Sequence, residues 1–250
     1  MKKLFLIGLL VLTVACQNVT ATPTFDSVAN TATPTPSVIA SATRAPTLTP
    51  TVSFTPPPTD LPRFFTEDFN GVLPNWSILQ SGGDATPQTG VYNGSLILTL
   101  PSSYEWVYAV IGAETYTDVR VDALTQSRDA TPGAVGVVCR YSEQNGWYEF
   151  NVSDDGTYNV LFGRWLAQGV AQYKPIVSDK SIYLKQGGEQ NEVGLGCQDQ
   201  YLYLYLNSKL FRKLDVTRFG LTDGKVGVTV SSFEHAGVVG AFDWVKVSQP

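Results

Sequence analysis

The feature that most constrains the fold is a two-residue alternation of apolar and polar side chains that recurs between residues 63 and 250. Residues 201–206 place three tyrosines on one face and three leucines on the other, and residues 119–123 alternate in the same way. Because successive side chains of a β-strand point to opposite faces, this period predicts strands with one buried face. No stretch sustains a helical period, so the sequence predicts an all-β domain.

Turn residues separate these alternating runs. Asn93-Gly94 precedes a run that ends at Leu100, and Asp154-Asp155-Gly156 joins residues 147–152 to residues 157–162. Both are hairpin signals, since Asn, Asp and Gly suit the backbone of tight turns. About a dozen short strands at this spacing predict a sandwich or a barrel. We expect the tyrosine face of residues 201–206 to pack against a second sheet, and an exposed tyrosine face is the alternative.

Residues 1–16 predict export. Two lysines precede an apolar run over residues 4–12, which is typical of a secretory signal and too short for the roughly 20 residues of a membrane-spanning helix. The following Thr-Val-Ala-Cys16 resembles the bacterial lipobox, in which the cysteine is acylated and becomes the mature N-terminus. This resemblance implies lipidation of Cys16, and an ordinary secretory cut near residue 15 or 21 is the alternative.

Residues 17–62 have the composition of an unfolded stalk. They contain nine prolines and twelve threonines but only three charged side chains. Such a segment has too little apolar surface to offset its ordering entropy, and its Thr-Pro units favour extended polyproline conformations. Fully extended, it would reach on the order of 100 Å, enough to hold a domain away from a membrane.

The remaining 63–250 segment is long enough for one all-β domain with its own core. It contains 14 basic and 20 acidic side chains and no cationic stripe. Nucleic acid and anionic lipid surfaces are therefore poor partners. We expect membrane attachment through the lipid anchor alone.

Several phrases of residues 64–248 resemble the concanavalin A-like lectin and glucanase superfamily. They are FFTEDFNG at 64–71, VYNGSL at 91–96, NEVGL at 191–195, LYLNSK at 204–209 and GAFDWVKV at 240–247. Laminin-G-like modules, laminarinase-type hydrolases and 3-keto-disaccharide hydrolase-like domains belong to this superfamily, and the last group is the most similar. The resemblance implies a jelly-roll β-sandwich of two antiparallel sheets. Ser208 stands where glycine is common.

The catalytic motif of the laminarinase-type hydrolases is only partly present. Those enzymes carry Glu-x-Asp-x-x-Glu, which supplies a nucleophile and a general acid. The nearest phrase starts at Glu149 but has Asn151 at the middle position and Asp154, which also begins a turn, at the last. His235 is the only histidine and falls in a predicted loop beside Glu234. The sequence therefore assigns no catalytic residue and favours a non-catalytic module.

Cys139 and Cys197 each lie on a predicted strand of an exported domain. Disulfides persist in such compartments, so we predict that the two cysteines form a bridge. Two buried free thiols are the alternative. Two thiols and one histidine do not supply the four ligands of a structural zinc site.

A structural calcium ion is the one cofactor that the resemblance implies. Laminarinase-type relatives hold calcium with an acid of the first strand, a carbonyl of the Asn-Gly turn and an Asp of the last strand. The matching positions are Asp68, Gly94 and Asp243. Oxygen ligands of this kind suit calcium. Two surface acids without a metal are the alternative.

Aromatic side chains are the candidate ligand contacts, because sugars stack their apolar faces on aromatic rings. Trp76 and Trp244 lie in the fold phrases and are predicted to be core. The candidates lie near two hairpin ends and would line one groove if these ends converge: Trp106, Trp147, Tyr148, Arg164 and Trp165. Sheet packing is the alternative for each of them.

These observations predict a lipid-anchored, extracytoplasmic protein whose β-sandwich binds carbohydrate or the cell surface without catalysis. Its expected partner is a glycan or a cell-envelope polymer, and the domain is expected to be a monomer. Two alternatives remain: a 3-keto-disaccharide or glycoside hydrolase, and a structural domain that binds protein in the envelope.

Overall fold

A computed structural model describes residues 62–128 and 131–250. The predicted signal peptide with Cys16, and the predicted stalk up to residue 61, lie outside the described residues. In the described part of the chain, no helix is both long enough and apolar enough to cross a membrane.

The described residues form fifteen strands and one short 3-10 helix, Thr217–Phe219. The strands are β1 (Phe65–Glu67), β2 (Trp76–Gly82), β3 (Gln88–Tyr92), β4 (Ser95–Leu100), β5 (Glu105–Tyr116), β6 (Val119–Arg128), β7 (Ala134–Ser142), β8 (Gly146–Ser153), β9 (Thr157–Ala167), β10 (Val170–Lys180), β11 (Asn191–Gln198), β12 (Tyr201–Leu206), β13 (Lys209–Asp215), β14 (Gly224–Ser231) and β15 (Val238–Ser248).

These strands form two antiparallel sheets. The eight-stranded sheet has the order β13-β12-β11-β6-β15-β4-β3, with β1 paired to β15. The seven-stranded sheet has the order β10-β9-β8-β7-β14-β5-β2. Neighbouring strands in both sheets are often distant in sequence, as expected for a jelly roll. The structure confirms the predicted all-β jelly-roll sandwich.

The main core lies between the two sheets. Inward-facing valines of β14 (Val226, Val228 and Val230) and leucines of β12 (Leu202 and Leu204) are fully buried in it. Burial of such side chains stabilises the fold by roughly 1.5–3 kcal/mol each. The alternation in the sequence therefore corresponds to one core-facing side and one outward side for each of these strands.

The expectation that the tyrosines of β12 pack against a second sheet is wrong. The leucines of this strand face the core, and the half-buried tyrosines lie on the outer face of the eight-stranded sheet. Cationic side chains cover two of the rings: the Arg120 guanidinium lies 3.6 Å from the Tyr205 centroid, and Lys213 Nζ lies 3.7 Å from that of Tyr201. Leucine has no polar atom to satisfy, whereas tyrosine keeps its hydroxyl in water on the outer face.

Both predicted hairpins are present. Asn93 and Gly94, with φ of 50° and 73°, connect β3 to β4, and residues 154–156 connect β8 to β9. A third tight turn connects β12 to β13 through Asn207 and Ser208, with φ of 48° and 66°. Ser208 thus occupies a left-handed position that favours glycine.

A disulfide joins the two sheets through the core. Cys139 of β7 and Cys197 of β11 are bonded, with Cα atoms 6.6 Å apart, and neither residue is exposed. The predicted bridge is confirmed, and the alternative of two free thiols is wrong. The bond links strands of different sheets and therefore holds the two sheets together. It also closes a long loop, because the two cysteines are 58 residues apart in the sequence.

We predict that removing this bond weakens the domain without changing its fold. A full-length chain with Cys16→Ser serves as the parent, and Cys139→Ala with Cys197→Ala is added to it. The free energy of unfolding in guanidinium should fall by about 2–5 kcal/mol, because the unfolded chain loses a constraint. A reductant should destabilise the parent and leave the double variant unchanged. Equal stability of the two oxidised chains would contradict the prediction.

Candidate functional site

The seven-stranded sheet curls until its two edge strands meet. The Gly82 amide at the end of β2 donates a hydrogen bond to the Gly169 carbonyl, in the β9–β10 turn, at 3.1 Å. The Ala171 amide of β10 donates to Ser81 Oγ of β2 at 3.0 Å. The outer face of this sheet is therefore concave, and part of it is enclosed.

Aromatic side chains fill this concave face and form a second core, which we call the concave aromatic cluster. Its aromatic members are Trp106, Tyr108, Tyr141, Trp147, Trp165 and Tyr173. Trp106 of β5 stacks on Tyr173 of β10 with ring centroids 4.7 Å apart, although four strands separate β5 and β10 in the sheet. Trp147 lies 5.1 Å from Trp165. Ring pairs at these distances stabilise a fold beyond simple area burial.

A glycine makes room for the central ring of the cluster. Gly163 of β9 pairs with Trp147 of β8, and a Cβ at residue 163 would collide with the Trp147 indole. The ring therefore lies directly against the neighbouring strand. Trp147 is fully buried in consequence.

Glu149 lies beneath the cluster and is fully buried. Its Oε2 accepts hydrogen bonds from the Tyr108 hydroxyl and Trp147 Nε1, both at 2.9 Å, and its Oε1 accepts one from Asn151 Nδ2 at 2.9 Å. The Tyr108 hydroxyl also lies 2.9 Å from that of Tyr173.

Burial raises the pKa of Glu149 above its ordinary value, although its three hydrogen bonds act in the opposite direction. Burial is also the main reason that the pKa values of Tyr108 and Tyr173 lie well above the usual value. All three donors to Glu149 are neutral. The folded protein therefore favours a protonated Glu149 more than the unfolded chain does.

The partial catalytic motif does not form an accessible carboxylate pair. Glu149 and Asn151 are both fully buried on the concave side. Asp154 lies in the β8–β9 turn and lines a separate groove of about 560 Å³ with Glu234 and His235. Burial raises the pKa of Asp154, and Asp155 beside it acts in the same direction.

The structure brings together three of the five predicted ligand contacts. Trp106, Trp147 and Trp165 share the concave aromatic cluster. The other two residues are not part of this cluster. Tyr148 is fully buried in the main core, so its prediction is wrong, and Arg164 is exposed on the opposite face of β9, bonded to Gln172. In a strand, adjacent residues point to opposite faces, so Tyr148 cannot accompany Trp147, nor Arg164 accompany Trp165. Full burial also removes Trp147 as a direct ligand contact.

An open pocket of about 620 Å³ adjoins the cluster, and we call it the Trp165 pocket. Its wall combines the rings of Trp165 and Tyr141 with the polar side chains of Gln80, Glu143 and Gln168. Trp165 Nε1 donates to the Tyr141 hydroxyl at 3.0 Å, which fixes the two rings relative to each other. Burial raises the pKa of Tyr141, so this hydroxyl remains protonated.

The three residues predicted to hold calcium have different surroundings. The Asp243 carboxylate accepts hydrogen bonds from Ser95 Oγ at 2.7 Å and from Gln190 Nε2. Asp68 is exposed and lines a groove on the outer face of the eight-stranded sheet, and Gly94 lies in the β3–β4 turn. Among the described residues, no three His, Cys, Asp or Glu side chains are grouped as a metal site would require. The calcium site stays a prediction.

Three tyrosines of the cluster are not among the residues predicted from the sequence: Tyr108, Tyr141 and Tyr173. The sequence does contain a pattern that indicates burial of Tyr108, because residues 106–111 are apolar or aromatic at every position. A continuous run of this kind is typical of a strand buried on both faces. The prediction that Trp244 lies in the core is wrong, because this side chain lies on the outer face and lines a groove. Trp76 packs against the core as predicted.

The sequence matches no protein-family model and no curated protein. Solved structures share the fold. The Bacillus licheniformis beta-glucanase is 13% identical, with a TM-score of 0.51, over 75% of this chain and 98% of that chain. A glycoside hydrolase family 16 endo-glucanase from Bacteroides ovatus is 12% identical, with a TM-score of 0.50, over 74% and 99%. The carbohydrate binding module CBM66 from Bacillus subtilis is 12% identical, with a TM-score of 0.48, over 67% and 91%. The two glucanases establish the concanavalin A-like jelly-roll fold.

We predict that Glu149→Gln makes the stability of the domain less dependent on pH. The raised pKa of Glu149 means that the folded state binds this proton more tightly, so its contribution to stability is present below the unfolded-state pKa and is lost as pH rises through the folded-state pKa. The melting temperature of the variant minus that of the parent should therefore increase from pH 4.5 to pH 8. We expect an increase of at least about 2–4 °C, which is the shift that about 1 kcal/mol produces in a domain of this size.

The exposed Glu143 provides a matched control for this measurement. Glu143→Gln removes an exposed carboxylate in the turn between β7 and β8 and leaves the buried Glu149 in place. Its melting temperature should follow that of the parent across the pH range. A constant difference between the Glu149→Gln chain and the parent from pH 4.5 to pH 8 would contradict the assigned cause.

Proposed function

We propose that this protein is a lipid-anchored, extracytoplasmic binding protein whose β-sandwich holds carbohydrate at the Trp165 pocket without catalysis. The observation that carries the proposal is the composition of this pocket. Two fixed aromatic rings stand beside three hydrogen-bonding side chains in a volume of about 620 Å³.

This combination matches the two surfaces of a sugar ring. An aromatic wall accepts the apolar C–H face, and amide and carboxylate groups bind the hydroxyls at the ring edge. Glu143 is the only acidic side chain in the wall of this pocket, and no Lys, Arg or His side chain lines it. A neutral glycan therefore fits better than a sulfated or carboxylated one.

The enclosed concave face supports binding without hydrolysis. A retaining glycosidase needs two carboxyl groups about 5–5.5 Å apart on either side of an accessible glycosidic bond. Here Glu149 is sealed beneath aromatic rings, and the motif has an amide, Asn151, at its second position. A polymer cannot lie across the middle of this face, because the cluster occupies it.

The comparisons suggest which glycans to test first. Two solved structures with this fold are described as a beta-glucanase and an endo-glucanase. Soluble β-glucans are therefore the first ligands in a screen, followed by polymers of the bacterial envelope. The anchor and the stalk, if present as predicted, would hold the domain outside the cell where such polymers occur. We expect a monomer on the membrane, with a glycan or an envelope polymer as partner.

We predict that the full-length Cys16→Ser chain binds neutral glycans on an array, and that Trp165→Ala reduces the apparent affinity at least tenfold. The reason is the loss of the exposed stacking surface. Arg164→Ala is the matched control, because this neighbouring side chain lies on the other face of β9 and outside the pocket. Equal effects of the two substitutions would contradict the assignment.

The same samples distinguish the alternative functions. Release of reducing ends from a bound glycan would show a hydrolase, and the groove of Asp154, Glu234 and His235 would be the place to search for its carboxylates. A blank array would favour the structural, protein-binding alternative.

We predict that Cys16 carries the lipid. In a bacterial host fed a palmitate analogue, the wild-type chain should be labelled and should sediment with membranes, because acyl chains partition into the bilayer. Cys16→Ser should abolish the label. The Cys139→Ala, Cys197→Ala chain should keep it, since its remaining cysteine is the predicted acceptor. Persistent label in the Cys16→Ser chain would refute lipidation at this residue.

A further inference from the structure

A second groove lies on the opposite side of the sandwich, on the outer face of the eight-stranded sheet. Its volume is about 600 Å³, and strands β1, β6, β11 and β15 supply most of its wall. We call it the Trp244 groove. The main core separates it from the Trp165 pocket, because the two cavities lie on the outer faces of different sheets.

A preorganised ion pair forms the floor of this groove. Asp122 is 4% exposed, and its carboxylate accepts hydrogen bonds from Arg120 Nε at 2.8 Å and Nη2 at 2.8 Å. The Arg120 guanidinium also stacks on the Tyr205 ring. Gly194 provides the space for Asp122, because a Cβ at residue 194 would collide with its carboxylate. Because hydrogen bonds and the Tyr205 ring already hold Arg120 and Asp122 in place, the two side chains lose little further conformational entropy when a ligand binds.

The wall of the groove is chemically mixed. Trp244 is half-buried there, and the main core does not include it. Asp68 and Glu192 add carboxylates, and Lys246 adds an ammonium group. Burial raises the pKa of Asp122, while its hydrogen bonds with Arg120 act in the opposite direction.

We propose that the Trp244 groove is a second carbohydrate site, selective for a neutral, hydroxyl-rich ring. The apolar face of the ring stacks on the Trp244 indole, the carboxylates accept hydrogen bonds from its hydroxyls, and Arg120 and Lys246 donate hydrogen bonds to its oxygens. Both charge signs line the groove, so a polyanionic or polycationic ligand would place like charges together. One domain then holds two glycan segments, one on each sheet.

A glycan array with neutral, carboxylated and sulfated glycans tests this proposal in the full-length Cys16→Ser chain. In a Trp165→Ala background, binding to neutral glycans should persist, and adding Trp244→Ala should reduce it at least tenfold. Trp244→Phe should reduce it less, because a smaller ring keeps part of the stacking surface. Tyr203→Ala is the matched control: this ring lies on the same outer face, in β12, but outside the groove.

The outcomes separate the two sites. Loss of all binding in the Trp165→Ala chain, or a blank array, would overturn the second site. Binding that depends on Trp244 but only for sulfated or carboxylated glycans would overturn its selectivity. Binding that Trp244→Ala abolishes and Trp165→Ala leaves unchanged would support this groove and refute the Trp165 pocket. Each variant is accepted only if its melting temperature shows a folded domain.

Discussion

The contact between the two edges of the seven-stranded sheet determines most of what this domain can do. Tyr173 of β10 is central to it, because its ring stacks on Trp106 of β5 and its hydroxyl bonds to Tyr108. This contact turns an outer face into a second core. The aromatic side chains fill the middle of the concave face, and the Trp165 pocket lies where this cluster ends. An open sheet would instead offer a continuous cleft.

The buried Glu149 shows how specific this closure is. A carboxyl without a cationic partner is costly to bury, and the cost is limited only by well-aligned hydrogen bonds. Tyr108, Trp147 and Asn151 supply these bonds from two strands, β5 and β8. A packing that moved the Tyr108 or Trp147 ring away from Glu149 would leave the buried carboxyl with fewer donors. The hydrogen bonds to Glu149 therefore favour this arrangement of the two rings.

The sequence predicts the strands and hairpins well, because alternation and turn residues are local properties. It also predicts the bridge between Cys139 and Cys197. It does not predict which aromatic residues become buried on the concave side, because that depends on a contact between Ser81 and Ala171, 90 residues apart. Trp244 illustrates the same limit: a tryptophan in a terminal strand phrase fits the core and the outer face equally well until its register is known.

The two proposed sites, on opposite sheets, would suit a repeating polymer better than a single small ligand. A polymer presents the same neutral unit many times, so a domain held at one site has a high effective concentration of units for the other. Two individually weak sites would then together give firm attachment, which a domain of net negative charge cannot obtain from electrostatic attraction to anionic surfaces. The mixed charges in the Trp244 groove, and the lack of any Lys, Arg or His side chain in the wall of the Trp165 pocket, both disfavour polyanions. Recognition of one polymer by both surfaces would require this shared preference.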